Sequence, residues 1–237
     1  MRRYVVTGGC GFIGCNLVRL LLREAEVGRL IVVDKLTYAG DLRNLADLIA
    51  DQRLEIVQAD VNDYRVLQQV FSEGDIVFHL AAESHNDRAI LDPWTTWHAN
   101  ADGSLRVLLA AKEANVERVV LVSTDEVYGH APEGGAFDEA APLNPRGPYQ
   151  ASKAAADRLA YAFWVTYGLP VVIARPTNNY GPYQFPEKLI PLFIYRALHD
   201  QPLPLYGDGQ QRRDFLYVED CCRALVLLAE QGKPGEA

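Results

Sequence analysis

The sequence contains no run of about 18 apolar residues, the length that a helix needs to cross a bilayer. It therefore predicts no membrane-spanning segment. The apolar stretch after Arg2 and Arg3 is only a few residues long and ends in glycines, which favours a first β-strand over a signal peptide. Cysteine is scarce: the chain has four, with no CxxC pair. This pattern argues against a disulfide framework and a metal site, and it favours a reducing, cytoplasmic location.

Basic charge is also in short supply. The 237 residues include 31 acidic and 23 basic ones, which gives a net charge of −8. This balance argues against a protein that tracks nucleic-acid phosphates, because such proteins carry a basic face. Internal repeats and low-complexity tracts are absent. A hydrophobic content of 49% is typical of a globular chain, and the length suits one or two domains.

Apolar residues alternate along the chain between short runs and amphipathic stretches. Runs typical of buried strands cover residues 3–7, 30–34, 54–58, 75–81, 118–123 and 170–175. Helical periodicity covers residues 12–23, 42–50, 64–72, 95–115 and 150–167. Strands that alternate with helices predict βαβ units, right-handed crossovers and a parallel sheet. We therefore expect an α/β fold with a doubly wound, Rossmann-like sheet.

After residue 175 the chain becomes richer in proline and glycine. We interpret residues 1–175 as a nucleotide-binding domain and residues 176–237 as part of a smaller, substrate-binding lobe. Two helices are predicted in this lobe, at residues 186–199 and 218–231. Pro191 is expected to kink or shorten the first of them.

A glycine-rich segment, TGGCGFIG at residues 7–14, lies between the first predicted strand and helix. Such a turn lets the backbone approach a pyrophosphate at the helix N-terminus, where amide donors and the helix dipole favour anions. Asp34, at the end of the second strand, is placed to bind ribose hydroxyls and to repel a 2′-phosphate, which favours NAD over NADP. Lys35 beside it could instead serve that phosphate. Asp60, after the third strand, could reach the adenine or could be a solvated strand-end acid.

Tyr149 and Lys153 lie four residues apart, so they share one face of a predicted helix. A nearby ammonium lowers the pKa of a tyrosine, which we expect to let Tyr149 act as a base. Thr124 lies at the carboxyl end of the fifth strand, where open α/β sheets bind ligands. Asp125 and Glu126 follow it as adjacent carboxylates. They indicate a second proton-transfer step, unless one of them only caps the following loop.

Seven blocks of the sequence occur in the same order along the chain as the motifs of a known protein family. They are TGGCGFIG (7–14), DKLTYAG (34–40), HLAAESHNDRAI (79–90), STDEVYG (123–129), GPYQASKAAAD (147–157), NNYGPYQFPEKLIPL (178–192) and PLYGDGQQRRDFLYVED (204–220). With these blocks the chain resembles the dTDP-glucose 4,6-dehydratases, which are extended short-chain dehydrogenases/reductases. The Thr-Asp-Glu triplet at 124–126 marks the dehydratases, because the related 4-epimerases lack the acid pair.

The resemblance implies a hydro-lyase that uses NAD without net redox. Tyr149, assisted by Lys153 and Thr124, would take the proton of the sugar C4 hydroxyl while hydride passes to NAD. Glu126 would then take the C5 proton and Asp125 would protonate the departing C6 hydroxyl. Hydride would finally return to C6, which gives the 4-keto-6-deoxy sugar.

The resemblance also implies binding roles for individual residues. Cofactor contacts are implied for Gly8, Gly11, Phe12, Ile13, Gly14, Asp34, Lys35, Asp60, Val61, Leu80, Ala81, Ala82, Ser84, Tyr149, Lys153 and Asn179. Substrate contacts are implied for Ser84, Thr124, Asn178, Lys188, Leu189 and Arg213. Arg213 would grip the diphosphate with its bidentate fork, although its neighbour Arg212 leaves that assignment ambiguous by one residue.

The sequence departs from the family at several positions. Asn86 stands where the family usually has valine, and Gln150 where it usually has serine. Family members also continue further, so the resemblance implies that the C-terminal part is lacking here. It further implies a homodimer through the predicted helices at 95–115 and 150–167, whose apolar residues would equally suit packing on the sheet. The alternatives left open are a related 4-epimerase, a dehydratase for another nucleotide sugar, and an inactive NAD-binding protein.

Overall fold

A six-stranded sheet forms the centre of the computed structural model, which describes residues 1–23, 26–131, 134–205 and 207–237. The strands are β1 (Arg2–Thr7), β2 (Val27–Asp34), β3 (Leu54–Gln58), β4 (Ile76–His79), β5 (Arg118–Val122) and β6 (Val171–Ala174). Their spatial order is β3-β2-β1-β4-β5-β6, and every adjacent pair is parallel. This is a doubly wound sheet, so the predicted α/β class is confirmed. The order reverses between β1 and β4, which opens a crevice at the carboxyl ends of these strands.

Helices cover both faces of the sheet. They are α1 (Phe12–Arg23), α2 (Tyr64–Val70), α3 (Asn86–Leu91), α4 (Pro93–Trp97), α5 (Gly103–Glu113), α6 (Pro148–Tyr167), α7 (Leu189–Leu198) and α8 (Val218–Gln231). The strands are rich in valine and isoleucine, and all of them except the edge strand β3 are largely buried, as a covered parallel sheet requires. One face packs against α1 and α8, and the other packs against α2, α5 and α6.

The last helix belongs to the core of the sheet. Cys221, Cys222 and Leu225 of α8 are buried in the same apolar cluster as Leu17 and Leu21 of α1. The predicted division at residue 175 stays a prediction as a division of roles. As a packing unit, however, the lobe expected over residues 176–237 does not include α8, because the apolar face of this helix is buried against the sheet.

Beyond α8 the backbone runs along the outer edge of β6. Gly235 N donates a hydrogen bond to Val171 O (2.7 Å), and Ile173 N donates one to Glu236 O (3.0 Å). These two bonds continue the hydrogen-bonding pattern of the sheet past its sixth strand.

The helix predicted over residues 95–115 contains one wider turn. A π-helical turn at His98–Asp102 joins α4 to α5. Such a turn inserts one extra residue and is frequent at functional sites. Asn100, inside this turn, is buried and donates to Glu83 O (3.0 Å) and to Ser152 Oγ (2.9 Å), so it ties the loop after β4 to α6.

The helix predicted over residues 42–50 is reduced to the 3₁₀ turn Leu42–Leu45. Asn44 donates its side-chain amide to Cys10 O (2.9 Å), and the carboxylate of Asp41 accepts from Arg43 N (2.8 Å). Side chains that bond to the backbone in this way compete with helix continuation.

The helix predicted over residues 186–199 begins later, at Leu189. Pro191 therefore lies in the first turn of α7, where a backbone N–H is not needed. Among the described residues, the short elements that the sequence did not predict are α3, the 3₁₀ turn Asp125–Tyr128, and the parallel pair β7 (Asn178–Tyr180) and β8 (Phe215–Tyr217). Within the described ranges, no helix is both long and apolar enough to cross a bilayer.

Candidate active site

A cavity of about 1460 Å³ opens at the carboxyl ends of the central strands. Every residue that the sequence predicts for cofactor binding, substrate binding or catalysis lines it, from Gly8 in the glycine turn to Arg213 before β8. The fold therefore brings the predicted residues together at one place, which is where a doubly wound sheet binds its ligands.

The glycine turn forms the floor of the cavity at the start of α1. Gly8 has a φ of +73°, and a Cβ added there would lie 2.7 Å from Ala81 N. A Cβ at Gly14 would collide with the carbonyl oxygen of Gly8, so this residue allows the helix to approach the turn closely. The backbone at the N-terminus of α1 is thus left open to the cavity, where unpaired N–H groups suit an anion.

Asp34, at the end of β2, is buried and holds the second loop of the site. Its Oδ2 accepts from Cys10 N in the glycine turn (3.0 Å), and its Oδ1 accepts from Leu36 N (2.8 Å). A carboxylate has about four acceptor positions, so both oxygens retain capacity for a ribose hydroxyl.

Lys35 is engaged by acidic groups. Its Nζ lies 3.7 Å from Asp60 Oδ2 and 3.7 Å from Glu83 Oε1. Two carboxylates therefore compete with any phosphate for this ammonium, which weakens the alternative that Lys35 serves a 2′-phosphate. The same contact gives Asp60 a partner, so it is not simply a solvated strand-end acid.

Lys153 is buried on the face of α6 that meets the sheet. Its Nζ donates to Val122 O at the end of β5 (2.6 Å). Burial lowers the pKa of this amine to about 8, and the negative charge of Asp157 opposes the shift. Lys153 is therefore close to its titration point at neutral pH.

The pKa of the Tyr149 phenol is raised above its usual value. Burial is the main cause, the charges of Glu126 and Asp125 add to it, and hydrogen bonding to Thr124 opposes it. The predicted lowering of this pKa by Lys153 is wrong for this arrangement, because burial and two nearby carboxylates favour the neutral phenol.

Thr124 and Asp125 lie where β5 ends and a 3₁₀ turn, Asp125–Tyr128, begins. Thr124 Oγ1 accepts from Glu126 N (3.3 Å) and is the cap of that turn. Neither acid is therefore the capping group. This excludes the alternative in which one of the two carboxylates only caps the loop. The pKa of Asp125 is raised, mainly by burial and further by the charge of Glu126, against hydrogen bonds from Thr177 and Thr124.

Glu126 is held by two side-chain amides that the motif pattern did not indicate as site residues. Gln150 Nε2 donates to Glu126 Oε2 (2.6 Å), and Asn86 Nδ2 donates to the same oxygen (3.3 Å). One signal was present in the sequence, since both positions depart from the family's usual residue.

The loop before α7 closes one side of the cavity through contacts that the sequence did not predict. Glu187 Oε1 accepts from Tyr38 Oη (3.2 Å), and Glu187 Oε2 lies 3.7 Å from His85 Nε2. Arg88 lies over the Tyr38 ring, 3.7 Å from its centre. The loop after β2, α3 and the segment before α7 are thus tied together around the cavity.

The residues predicted for the substrate also line the cavity. Lys188 Nζ donates to Ser84 O (2.9 Å), and burial lowers the pKa of this amine. Asn178 in β7 donates its amide to Asp214 O (3.3 Å). Arg213 is exposed and donates to Arg212 O (2.7 Å), and both arginines line the cavity, so the choice between them stays open.

Unpartnered polar atoms in the cavity wall point to a ligand. Ser123 Oγ and Asn179 Oδ1 are buried and have no hydrogen-bond partner among the described residues, although buried polar atoms are normally paired. In the same part of the chain, no group of three histidine, cysteine or acidic residues has the arrangement of a metal site. The cavity therefore suits an organic ligand with several polar groups.

Comparison with known proteins agrees with this geometry. The model of the NAD dependent epimerase/dehydratase family matches residues 4–237. The chain is 46% identical over 238 residues to the dTDP-glucose 4,6-dehydratase of Streptomyces niveus, a match that spans 99% of this chain and 70% of that protein. The crystal structure of DesIV (dTDP-glucose 4,6-dehydratase) from Streptomyces venezuelae, with NAD bound, superposes with a TM-score of 0.96 at 47% identity, over 99% of this chain and 74% of that one.

Epimerases also resemble this chain, at lower identity. A UDP-N-acetylglucosamine 4-epimerase from Methanobrevibacter ruminantium M1 superposes with a TM-score of 0.91 at 33% identity, over 98% of this chain and 74% of that one. The fold alone therefore does not separate dehydration from epimerisation, and the choice depends on the acidic residues of the site.

Proposed function

Because this chain belongs to the NAD dependent epimerase/dehydratase family, we propose that it dehydrates dTDP-glucose to dTDP-4-keto-6-deoxyglucose with NAD as its resident cofactor. The observation that carries the proposal is the acid pair Asp125 and Glu126, which lines the same cavity as Tyr149 and acts on its pKa. Exchange of a hydride and a hydroxyl proton needs only one acid–base group. Two further carboxyl groups supply the acid and the base of an elimination.

The residues of the glycine turn fit the cofactor. Gly8 and Gly14 leave the backbone bare where a pyrophosphate would meet the N-terminus of α1. Asp34 has acceptor capacity for the ribose, and Ser123 offers a buried hydroxyl that has no partner within the described ranges. Bound in its oxidised form, NAD supplies a positive charge and a hydride acceptor that returns the hydride later.

The chain's own residues begin the reaction at the sugar C4 hydroxyl. Tyr149 takes the hydroxyl proton as the C4–H bond gives up its hydride, and Thr124 shares a hydrogen bond with the phenol. The positive charge of oxidised NAD, when it is bound in the cavity, would oppose the raising effect of the two carboxylates on the Tyr149 pKa. Lys153 donates to Val122 O and so fixes the end of β5 relative to α6.

Glu126 and Asp125 then carry out the elimination. The new C4 ketone acidifies the C5 hydrogen, and Glu126 removes it as a proton. The electron pair of the broken C5–H bond forms the C5–C6 double bond, while the C6–O bond breaks. Asp125 protonates the departing oxygen, so that water leaves. A raised pKa suits Asp125 to this role, because the carboxyl group must carry a proton before it can donate one.

We assign substrate binding to the segment after residue 175. Lys188 and Arg213 supply cationic donors for the diphosphate, and Asn178, Leu189 and Ser84 line the remaining wall. In this division of roles, residues 1–175 hold NAD and residues 176–217 supply most contacts to the sugar nucleotide.

We further propose that the protein is a cytoplasmic homodimer. Large apolar side chains on α4 and α6, which pack beside each other, are exposed: Trp94 is 73% exposed and Val165 is 60% exposed. A second copy of the same face would cover them. Light scattering at micromolar concentration tests the dimer, and a monomer would count against it. All four cysteines are free, in keeping with a reducing compartment.

Incubation of the purified chain with dTDP-glucose tests the proposed reaction. We expect loss of one water molecule and formation of the 4-keto-6-deoxy product, with no net reduction of NAD. Mass spectrometry detects the product. Clean 4-epimerisation without loss of water would overturn the proposal, and so would NAD binding without turnover.

A sugar-nucleotide 4-epimerase is the second candidate. The resemblance to the Methanobrevibacter epimerase and the set of Thr124, Tyr149 and Lys153 favour it. The acid pair counts against it, because epimerisation would leave Asp125 and Glu126 without a chemical role.

A further inference from the structure

Three side chains from separate elements meet at one oxygen of Glu126. Asn86 is the first residue of α3, Gln150 lies in the first turn of α6, and Glu126 lies in the 3₁₀ turn after β5. Both amides donate to Glu126 Oε2, and Gln150 Nε2 also donates to Asn86 Oδ1 (3.2 Å). The result is a closed triangle of hydrogen bonds in the cavity wall.

The chemistry of the triangle fixes which way each amide faces. A carboxylate can only accept hydrogen bonds, so both amides must present their NH₂ groups to it. The carbonyl oxygen of Gln150 then lies against Gly147, where an added Cβ would collide with Gln150 Oε1. Gly147 therefore leaves the space that this orientation of Gln150 requires.

The triangle uses only one oxygen of the carboxylate. Among the described residues, none donates a hydrogen bond to Glu126 Oε1. One oxygen is thus anchored from two sides while the other stays available to accept a proton. Fixing a glutamate side chain costs conformational entropy. Because the triangle already holds Glu126 before substrate binds, substrate binding does not have to order this side chain.

We propose that Asn86 and Gln150 are positioning residues, which hold Glu126 Oε2 so that Oε1 takes the C5 proton. This inference rests on the proposed dehydratase function. The resemblance gives valine and serine as the usual residues at positions 86 and 150, and these two cannot form the triangle. Valine has no hydrogen-bond donor, and the serine side chain is shorter than that of glutamine.

Exchange for the family's residues tests the proposal. The variants are Asn86→Val, Gln150→Ser and the double variant, and Gln68→Ser is the matched control. Gln68 Nε2 donates to Glu113 Oε2 (3.0 Å), the same kind of bond on the exposed surface away from the cavity. The measurements are kcat, KM and the fraction of enzyme-bound NAD that is reduced during turnover.

We expect Gln150→Ser to lower kcat by about tenfold, the effect of one hydrogen bond to a charged group, with KM changed by less than about threefold. Reduced NAD should accumulate, because elimination slows while oxidation at C4 does not. The double variant should lose less than the product of the two single losses, since both amides act on one oxygen. Gln68→Ser should match the parent in every measurement.

A double variant with the parent's kcat and the parent's fraction of reduced NAD would overturn the proposal. Crystal structures of the parent and the double variant separate this failure from failure of the proposed function, because they show Glu126 without turnover. If the parent does not dehydrate dTDP-glucose, the proposed substrate is wrong. If Glu126 is nevertheless fixed only when both amides are present, the positioning role of Asn86 and Gln150 is upheld. A carboxylate that keeps its place without the amides refutes the positioning, whatever the activity.

Discussion

Lys153 Nζ donates its hydrogen bond to the carbonyl oxygen of Val122, the last residue of β5, at 2.6 Å. A buried ammonium group therefore joins α6 to the sheet at the wall of the cavity. Burial holds its pKa at about 8, so the cation is maintained at a cost that other parts of the fold offset.

Replacement of Lys153 by methionine should change how stability depends on pH. The folded pKa of about 8 lies below the ordinary 10.5, so between these values the unfolded chain binds more protons and the parent gains stability as pH rises. The whole shift corresponds to on the order of 3 kcal/mol. We expect the Tm of Lys153→Met minus that of the parent to fall as pH rises from about 8 to about 10.5. A difference that stays constant across this window would show that the amine is not desolvated.

Asp125→Asn and Glu126→Gln should each slow dehydration by roughly 10²–10⁴, because each removes a general acid or base. Oxidation at C4 depends on Tyr149, so reduced NAD should accumulate after mixing with dTDP-glucose. Stopped-flow absorbance of the reduced nicotinamide, together with product analysis, checks this.

A matched control for the two carboxylates is Glu55→Gln. Glu55 lies on β3 and forms a half-exposed ion pair with Arg29, outside the cavity. It should dehydrate dTDP-glucose at the parent rate. Loss of NAD affinity in Asp125→Asn or Glu126→Gln would contradict the separate roles given to the acids and to the glycine turn.

Comparing Gly8→Ala with Gly74→Ala distinguishes the effect of backbone strain from the loss of the glycine turn as a binding surface for the pyrophosphate. Both glycines have positive φ, +73° and +79°, but an added Cβ meets the backbone of Ala81 at Gly8 and meets nothing within 4 Å at Gly74. Gly74→Ala should lose about 1–3 kcal/mol of unfolding free energy and keep its affinity for NAD. Gly8→Ala should lose more stability and most of its NAD affinity, measured by calorimetry. Equal effects on NAD binding would argue against a role of the turn in binding.

Lys35→Ala should leave the preference for NAD over NADP in place. The ammonium is engaged by Asp60 and Glu83, and the acid that meets the ribose is Asp34. We expect the ratio of the two dissociation constants to change by less than about threefold, whereas Asp34→Ala should reduce it by at least about tenfold. A collapse of the ratio in Lys35→Ala alone would assign the selectivity to the lysine.

Much of the sheet was predictable because its strands other than β3 are largely buried. Such strands read as continuous apolar runs. The predicted bounds of β3 and α1 agree with those observed. The alternation of strands and helices then leaves few topologies, of which the doubly wound sheet is one. The short elements α3, β7 and β8 were missed because segments of three to six residues are too short to show a periodicity.

The finer arrangement of the site could not be obtained from spacing. Asn86 and Gln150 lie 40 and 24 residues from Glu126 along the chain, so their contact exists only once α3 and α6 are packed. The direction of the Tyr149 pKa shift depends in the same way on burial and on the distance to two carboxylates. The π-helical turn at His98–Asp102 also has no signature in an apolar pattern that continues through it.

The backbone bonds of Gly235 and Glu236 affect how the sheet meets other molecules. β6 is the outermost strand on its side, and an unprotected strand border is a template for adding further strands, including those of other chains. Val171 O and Ile173 N are already satisfied within the chain. A strand of another chain that pairs with β6 at these two positions would first have to displace Gly235 and Glu236.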